Sequence, residues 1–344
     1  MAEENEAKLE PVLGAVQPLP PATPAPAAID AHRALTRLLR KRLKKFLALA
    51  PEVHADVNPK TIHDARVWSR RLQQAISAFF PKPRSGKVRR LRRTPRRIRR
   101  LLGAWRNCDV LIEMVAKQER RTRSEAKRRA WIFVRDSLVQ QRDKEVARAE
   151  KKLLRQDMRD FAAVAQKALE LPAEETPEVL IERLRASAQK AWSKWQSALS
   201  HARETRAPKA LHELRIATKV LRYRTELLND VGYTEMKADL KWLADLQDTI
   251  GVWHDRQVLY QAVAKAVARE EVLLNELPTA RILLAELESD RKRESVDVEK
   301  IFRLAGERPG HLALVLTPSS LTQKVSRKRL GVKSEDQGAA EVRP

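Results

Sequence analysis

Cysteine is nearly absent from this chain: Cys108 is the single one in 344 residues and cannot form an internal disulfide. Glycine is scarce at nine, while Leu, Ala, Arg, Lys and Glu dominate, a balance that favours helix over strand. No apolar run is long enough to span a bilayer. The opening MAEENEAKLEPVLG has neither a basic n-region nor an apolar h-region, so the chain is expected to be soluble and cytoplasmic, with no membrane partner. A P-loop, a nucleophile elbow and a paired-carboxylate motif are all missing. Negative charge is also short: 69 Lys and Arg against 45 Asp and Glu leave a formal net charge of +24. Such an excess is maintained only against its own repulsion, and a polyanion is the natural partner.

Residues 1–28 are rich in Pro and Ala (PLPPATPAPAA), bury almost nothing and are expected to form a disordered arm. Helical periodicity fades near Pro309, which predicts a flexible tail over 306–344. Between the two, apolar residues recur at three- and four-residue spacing in long blocks. They predict eight helices, near 29–50, 59–80, 87–118, 122–170, 178–205, 208–230, 235–273 and 278–305. Pro59 and Pro208 suit first helical positions, and Asn58 suits an N-cap. Thr94 and Pro95 predict a break in the third helix.

The chain repeats itself. At an offset of 149, Leu35, Lys41, Lys45 and Phe46 match Leu184, Lys190, Lys194 and Trp195. At the same offset, Lys60, His63, Arg66 and Arg70 match Lys209, His212, Arg215 and Lys219. At an offset of 148, GAWRNCDVL from Gly103 matches GVWHDRQVL from Gly251. The expected fold is all-α, with two equivalent halves over 29–170 and 178–305, each of about four helices.

At 100° per residue, His63, Arg66 and Arg70 lie within about 60° of one another on their helix. Ile62, Ala65, Trp68, Leu72, Ile76 and Phe79 take the other side, as Leu211, Leu214, Leu221 and Leu228 do in the second copy. A basic stripe is ordinarily a solvated face. Two observations argue otherwise: Val67 and Ile216 interrupt the stripe at equivalent places, and both copies carry a histidine, which a solvated face does not need. Like charges on one helix face repel unless an anion lies between them. Arg offers a planar fork for phosphate oxygens, Lys a point charge, and His a hydrogen bond or a charge. Both histidines also lie in first turns, near the positive ends of helix dipoles. The run from Arg84 to Arg106 adds eleven basic residues and no acid, Arg93, Arg96 and Arg100 among them, on a helix whose apolar stripe is Val88, Leu91, Ile98, Leu102 and Trp105. Its counterpart in the second half, MKADLKWLADLQDTIGVWH, is far less basic.

His-Asp pairs at His63 and His254 raise the alternative of a metal-dependent phosphohydrolase. A metal needs convergent His and carboxylate ligands, whereas the neighbours of His63 are cations and Asp64 lies 100° round the helix. No metal, cofactor or catalytic residue is therefore expected. RNA or DNA is the stronger alternative, because a pI near 10.5 suits any phosphate backbone. Trp68 and Trp105 lie on apolar faces, which argues for a ligand without bases.

The two His-x-x-Arg helices, HDARVWSRRL and HELRIATKVLR, each followed by an LG- or IG-containing element, LGAWRNCDV and IGVWHDRQV, resemble the CHAD family, the conserved histidine α-helical domain. The resemblance spans roughly 29–305. It implies two pseudo-symmetric four-helix bundles around a basic central cleft or pore that binds inorganic polyphosphate without catalysis, and association with cytoplasmic polyphosphate granules. It also implies a stand-alone member, because the chain has no room for the CYTH-type domain often fused to this one. The family's basic positions fall on His63, Arg66, Arg70, His212, Arg215, Lys219 and Arg222. The repeat adds Lys41, Lys45, Lys190 and Lys194. Asn107 stands where the family commonly has an acid, and the first half is expected to dominate affinity.

Overall fold

The computed structural model describes residues 31–55, 58–81, 85–169, 175–291, 293–307 and 310–316. The arm over 1–28 and the chain beyond Leu316 lie outside the described residues. Among those described, every regular element is a helix. In chain order they are α1 (Ala31–Ala55), α2 (Pro59–Phe79), α3 (Gly86–Arg121), α4 (Glu125–Leu153), α5 (Met158–Leu169), α6 (Pro177–Thr205), α7 (Pro208–Asp230), α8 (Lys237–Val267), α9 (Glu270–Asn275), α10 (Leu277–Arg291), α11 (Glu294–Gly306) and α12 (Gly310–Leu316).

Local chemistry sets most of the starts. Asn58 Oδ1 accepts from the Lys60 N–H at 2.8 Å, with Pro59 at the first helical position of α2. Ser85, Ser124 and Thr176 cap α3, α4 and α6 in the same way. Ala207 precedes Pro208 and offers no side-chain cap, so α7 relies on proline alone.

Four expectations change. The helix predicted over 87–118 runs unbroken through Thr94 and Pro95. Pro95 is buried with Leu91, Ile98 and Leu102, and the Thr94 hydroxyl donates back to the Arg90 carbonyl at 3.1 Å instead of capping a new helix. Packing of a continuous apolar face thus overrides the proline penalty. The single helix predicted over 122–170 is instead α4 and α5, joined by a turn in which Asp157 Oδ1 caps the Asp160 N–H at 2.8 Å. The last two predicted helices likewise become α8 and α9, and α10 and α11. Finally, α12 forms inside the stretch assigned to the tail, and its Leu312 and Leu316 are buried in the second-half core.

The apolar interior of the described residues divides into three clusters. One joins the later part of α1 with α2, the first half of α3, the end of α4 and α5, around Phe46, Leu72, Leu102, Trp105 and Phe161. A second joins α6, α7, the first half of α8, α11 and α12 to the start of α1, around Trp192, Trp195, Leu214, Trp242 and Trp253. The third lies where the far end of α3 and the start of α4 meet the far end of α8, α9 and α10, around Val115, Trp131, Val263 and Leu283. The two long helices α3 and α8 therefore each leave the core of their own half and enter an interior that both halves build. At the centre α2 also packs on α7, and α3 on α8. The elements carrying the two basic stripes become direct neighbours.

Candidate functional site

The apolar spacing of α2 buries Ile62, Ala65, Ser69, Leu72 and Ile76 and turns Arg66 and Arg70 toward α7 and α3. Arg70 Nη1 donates to the Tyr223 hydroxyl of α7 at 3.2 Å, and its guanidinium lies 5.7 Å from the centre of that ring. Arg66 Nη1 donates to the Arg99 carbonyl of α3 at 2.7 Å. Gly103 eases this close approach, since a Cβ there would stand 3.2 Å from Arg66 Nη1 and the guanidinium would have to shift slightly. Arg99 in turn donates to Gln73 Oε1 at 2.8 Å.

From the other half, α7 buries Leu211, Leu214, Thr218 and Leu221 and leaves Arg215 and Lys219 half-buried on the facing side. Thr218 Oγ1 accepts from Trp195 Nε1 at 3.1 Å and donates to the Leu214 carbonyl at 2.8 Å, which locks this register against α6. The His212 and His254 rings lie 5.2 Å apart.

The electrostatics reveal how closely these groups share one space. Burial, then the positive charges of Arg70, Arg99, Arg106 and Arg215, pull Arg66 down to about 10. Burial and Arg70 bring Arg99 down to about 10 as well. Burial, then Arg215, Arg70 and Arg66, lower Lys219 to about 7. Burial and Arg215 lower His254 to about 4. His63 is held below its usual value by partial desolvation and by Arg106, and His212 by partial desolvation and by Arg215. Asp255 faces Arg215, Arg106 and Lys219, yet burial still raises its carboxyl. Arg215 Nε is buried and has no hydrogen-bond partner among the described residues.

The structure thus brings together His63, Arg66, Arg70, His212, Arg215 and Lys219, all expected from the repeat. It also brings in Arg99, Arg106, Tyr223, His254 and Asp255, which the sequence reading did not place in the site. A usable signal existed for two of them: Arg99 and Arg106 are seven residues apart and share one side of α3. Other expected residues lie elsewhere. Lys41 and Lys45 are exposed on α1, and Lys190 and Lys194 on α6. Arg222 is held by Glu226 at 3.3 Å, which Arg71 also approaches at 3.7 Å. Arg93, Arg96 and Arg100 are exposed on α3, with Arg96 and Arg100 close enough to depress Arg99. No group of three or more His, Cys, Asp or Glu among the described residues is arranged to hold a metal ion.

Residues 37–264 match the model of the CHAD domain, and the chain belongs to that family. No CYTH domain is detected in it. Among solved structures, the CHAD domain from the plant Ricinus communis is similar, with a TM-score of 0.62 and 19% identity over 84% of this chain and 95% of that one. PptA from Streptomyces chartreusis is similar with a TM-score of 0.60 and 16% identity, over 80% of this chain and 99% of that one. The comparison with curated proteins finds no match. No helix among the described residues is long and apolar enough to cross a membrane.

Proposed function

We propose that this chain binds inorganic polyphosphate without turning it over. The ligand would lie in a basic cleft between two pseudo-symmetric helical bundles, with α2 and α3 on one wall and α7 and α8 on the other. One observation carries the reading: Arg66, Arg70, Arg99 and Arg106 from the first half share a half-buried space with Arg215 and Lys219 from the second, and Asp255 is the acid that faces them. Gathering cations in a region of lowered dielectric opposes folding, and a polyanion relieves that cost. The buried Nε of Arg215 is a donor suited to a phosphate oxygen. Binding, with His63 and His212 donating at the helix starts, requires no catalytic group. Membership of the CHAD family supports the ligand class, and it supports residence on cytoplasmic polyphosphate granules.

The test is competition at moderate salt between long-chain polyphosphate and single-stranded RNA of equal charge for the purified chain. Polyphosphate is expected to displace RNA, because no Phe or Trp ring lies among the central residues and Tyr223 is buried beside Arg70. If RNA displaces polyphosphate, the ligand is a nucleic acid instead.

A further inference from the structure

The basic run of α3 is divided between two faces. Arg92, Arg99 and Arg106 recur every seven residues toward the centre, whereas Arg89, Arg93 and Arg97 form a ridge turned about 120° away. All three are exposed, and they span about 12 Å of helix. They do not face open water alone. The turn between α4 and α5 rises opposite them and closes a concave pocket of about 490 Å³, with Arg155 on the far wall.

The charge of this pocket is lopsided. Arg90 is matched by Asp160 at 2.7 Å, a pair that anchors α5 to α3. The acid that lines the pocket, Asp157, has Oδ1 engaged by the Asp160 N–H. No carboxylate among the described residues pairs with Arg89, Arg93, Arg97 or Arg155. Arginines four apart on one helix repel, and a fourth guanidinium facing them adds to that cost. The fold does not require the arrangement. At the equivalent positions of the second half, Arg89, Arg90, Arg93 and Arg97 become Lys237, Ala238, Lys241 and Asp245.

We propose that this outer pocket, formed by the Arg89–Arg93–Arg97 ridge and Arg155, is a second and separate oligophosphate-binding site. A ridge of forked donors facing a single arginine suits several consecutive phosphoryl groups rather than one. The pocket has no aromatic lining, so bases would find nothing to stack on. The identity of the ligand rests on the polyphosphate reading above; the existence of the pocket does not. Short chains occupy the two sites independently, and a long chain engages both.

Calorimetric titration of the full chain with tripolyphosphate tests this. Two molecules are expected to bind wild type and one to bind R93Q/R97Q/R155Q, which also loses about tenfold in affinity for long chains and about three units of salt slope. A control, R120Q/R121Q/R123Q, removes three exposed charges on another surface and is expected to keep both sites. An unchanged stoichiometry in the pocket variant, or an equal loss in the control, overturns the proposal. Failure of the central reading looks different: wild type and R66A/R215A would then each bind one molecule, and the pocket variant none. Displacement of the outer tripolyphosphate by RNA at equal charge would overturn the ligand class of the pocket.

Discussion

The two halves place the same residue types at the same repeat positions but stabilise their charge differently. In the first half Arg66 is pressed against α3, fixed by the Arg99 carbonyl beside Gly103, and is depressed by the charges of Arg70, Arg99, Arg106 and Arg215. In the second half nothing lies within 4 Å of where a Cβ on Gly251 would point, and Arg215 leaves its Nε unpaired. There Lys219 stands at the position of Arg70 and is lowered to about 7, and Asp255 offsets Arg215 where the first half has Asn107. The cationic stripe recurs in both repeats, with Arg70 in the first where the second carries the more readily titrated Lys219.

Breaking both sides at once has the largest expected effect. Charge-assisted hydrogen bonds are each worth about 1.5–3 kcal/mol, so R66A/R215A is expected to weaken long-chain polyphosphate binding by about 10²–10⁴-fold, measured by anisotropy at fixed salt. The pH response separates the halves. A bound polyanion raises the pKa of Lys219 above its free value of about 7, so binding takes up a proton near neutral pH. Affinity is then level below pH 7 with respect to this group and falls by about tenfold as pH rises above it. Lys219→Met removes that response, which calorimetry in buffers of different ionisation enthalpy reads directly. Asp255→Asn makes the second half resemble the first. It is expected to raise affinity by about two- to fivefold, since one half-buried repulsive charge is lost. The smallest effect is on stability. Gly251→Ala is expected to gain about 0.5–1 kcal/mol in denaturant unfolding, whereas Gly103→Ala gains less than half of that because Arg66 must shift.

Much of this difference is legible in the sequence. The repeat located α2 and α7, and the apolar spacing of Ile62, Ala65 and Leu72 assigned which side would be buried. Asn107 against Asp255 and the uneven basicity of α3 and α8 stood in the sequence as well. The partners of Arg66 and Arg70 did not. That Arg66 reaches the Arg99 carbonyl, or that Arg70 lies over Tyr223, depends on the angles at which α2 meets α3 and α7, and helix periodicity is silent about neighbours 33 and 153 residues away. Local signals failed where tertiary packing dominated. Thr94 and Pro95 form a sound start signal, but a helix buried along one continuous side absorbed it. Residues near Leu154 keep enough periodicity to read as helix, yet an Asp cap starts a new helix there.

Arg42 of α1 is 4% exposed, donating to Asp230 of α7 at 2.7 Å and to the Arg71 carbonyl of α2 at 3.0 Å. A single guanidinium therefore ties α1 to both α2 and α7. On the proposed reading, capture is expected to need no closure step, so that its rate falls steeply with added salt and does not saturate with ligand concentration as a gated process would.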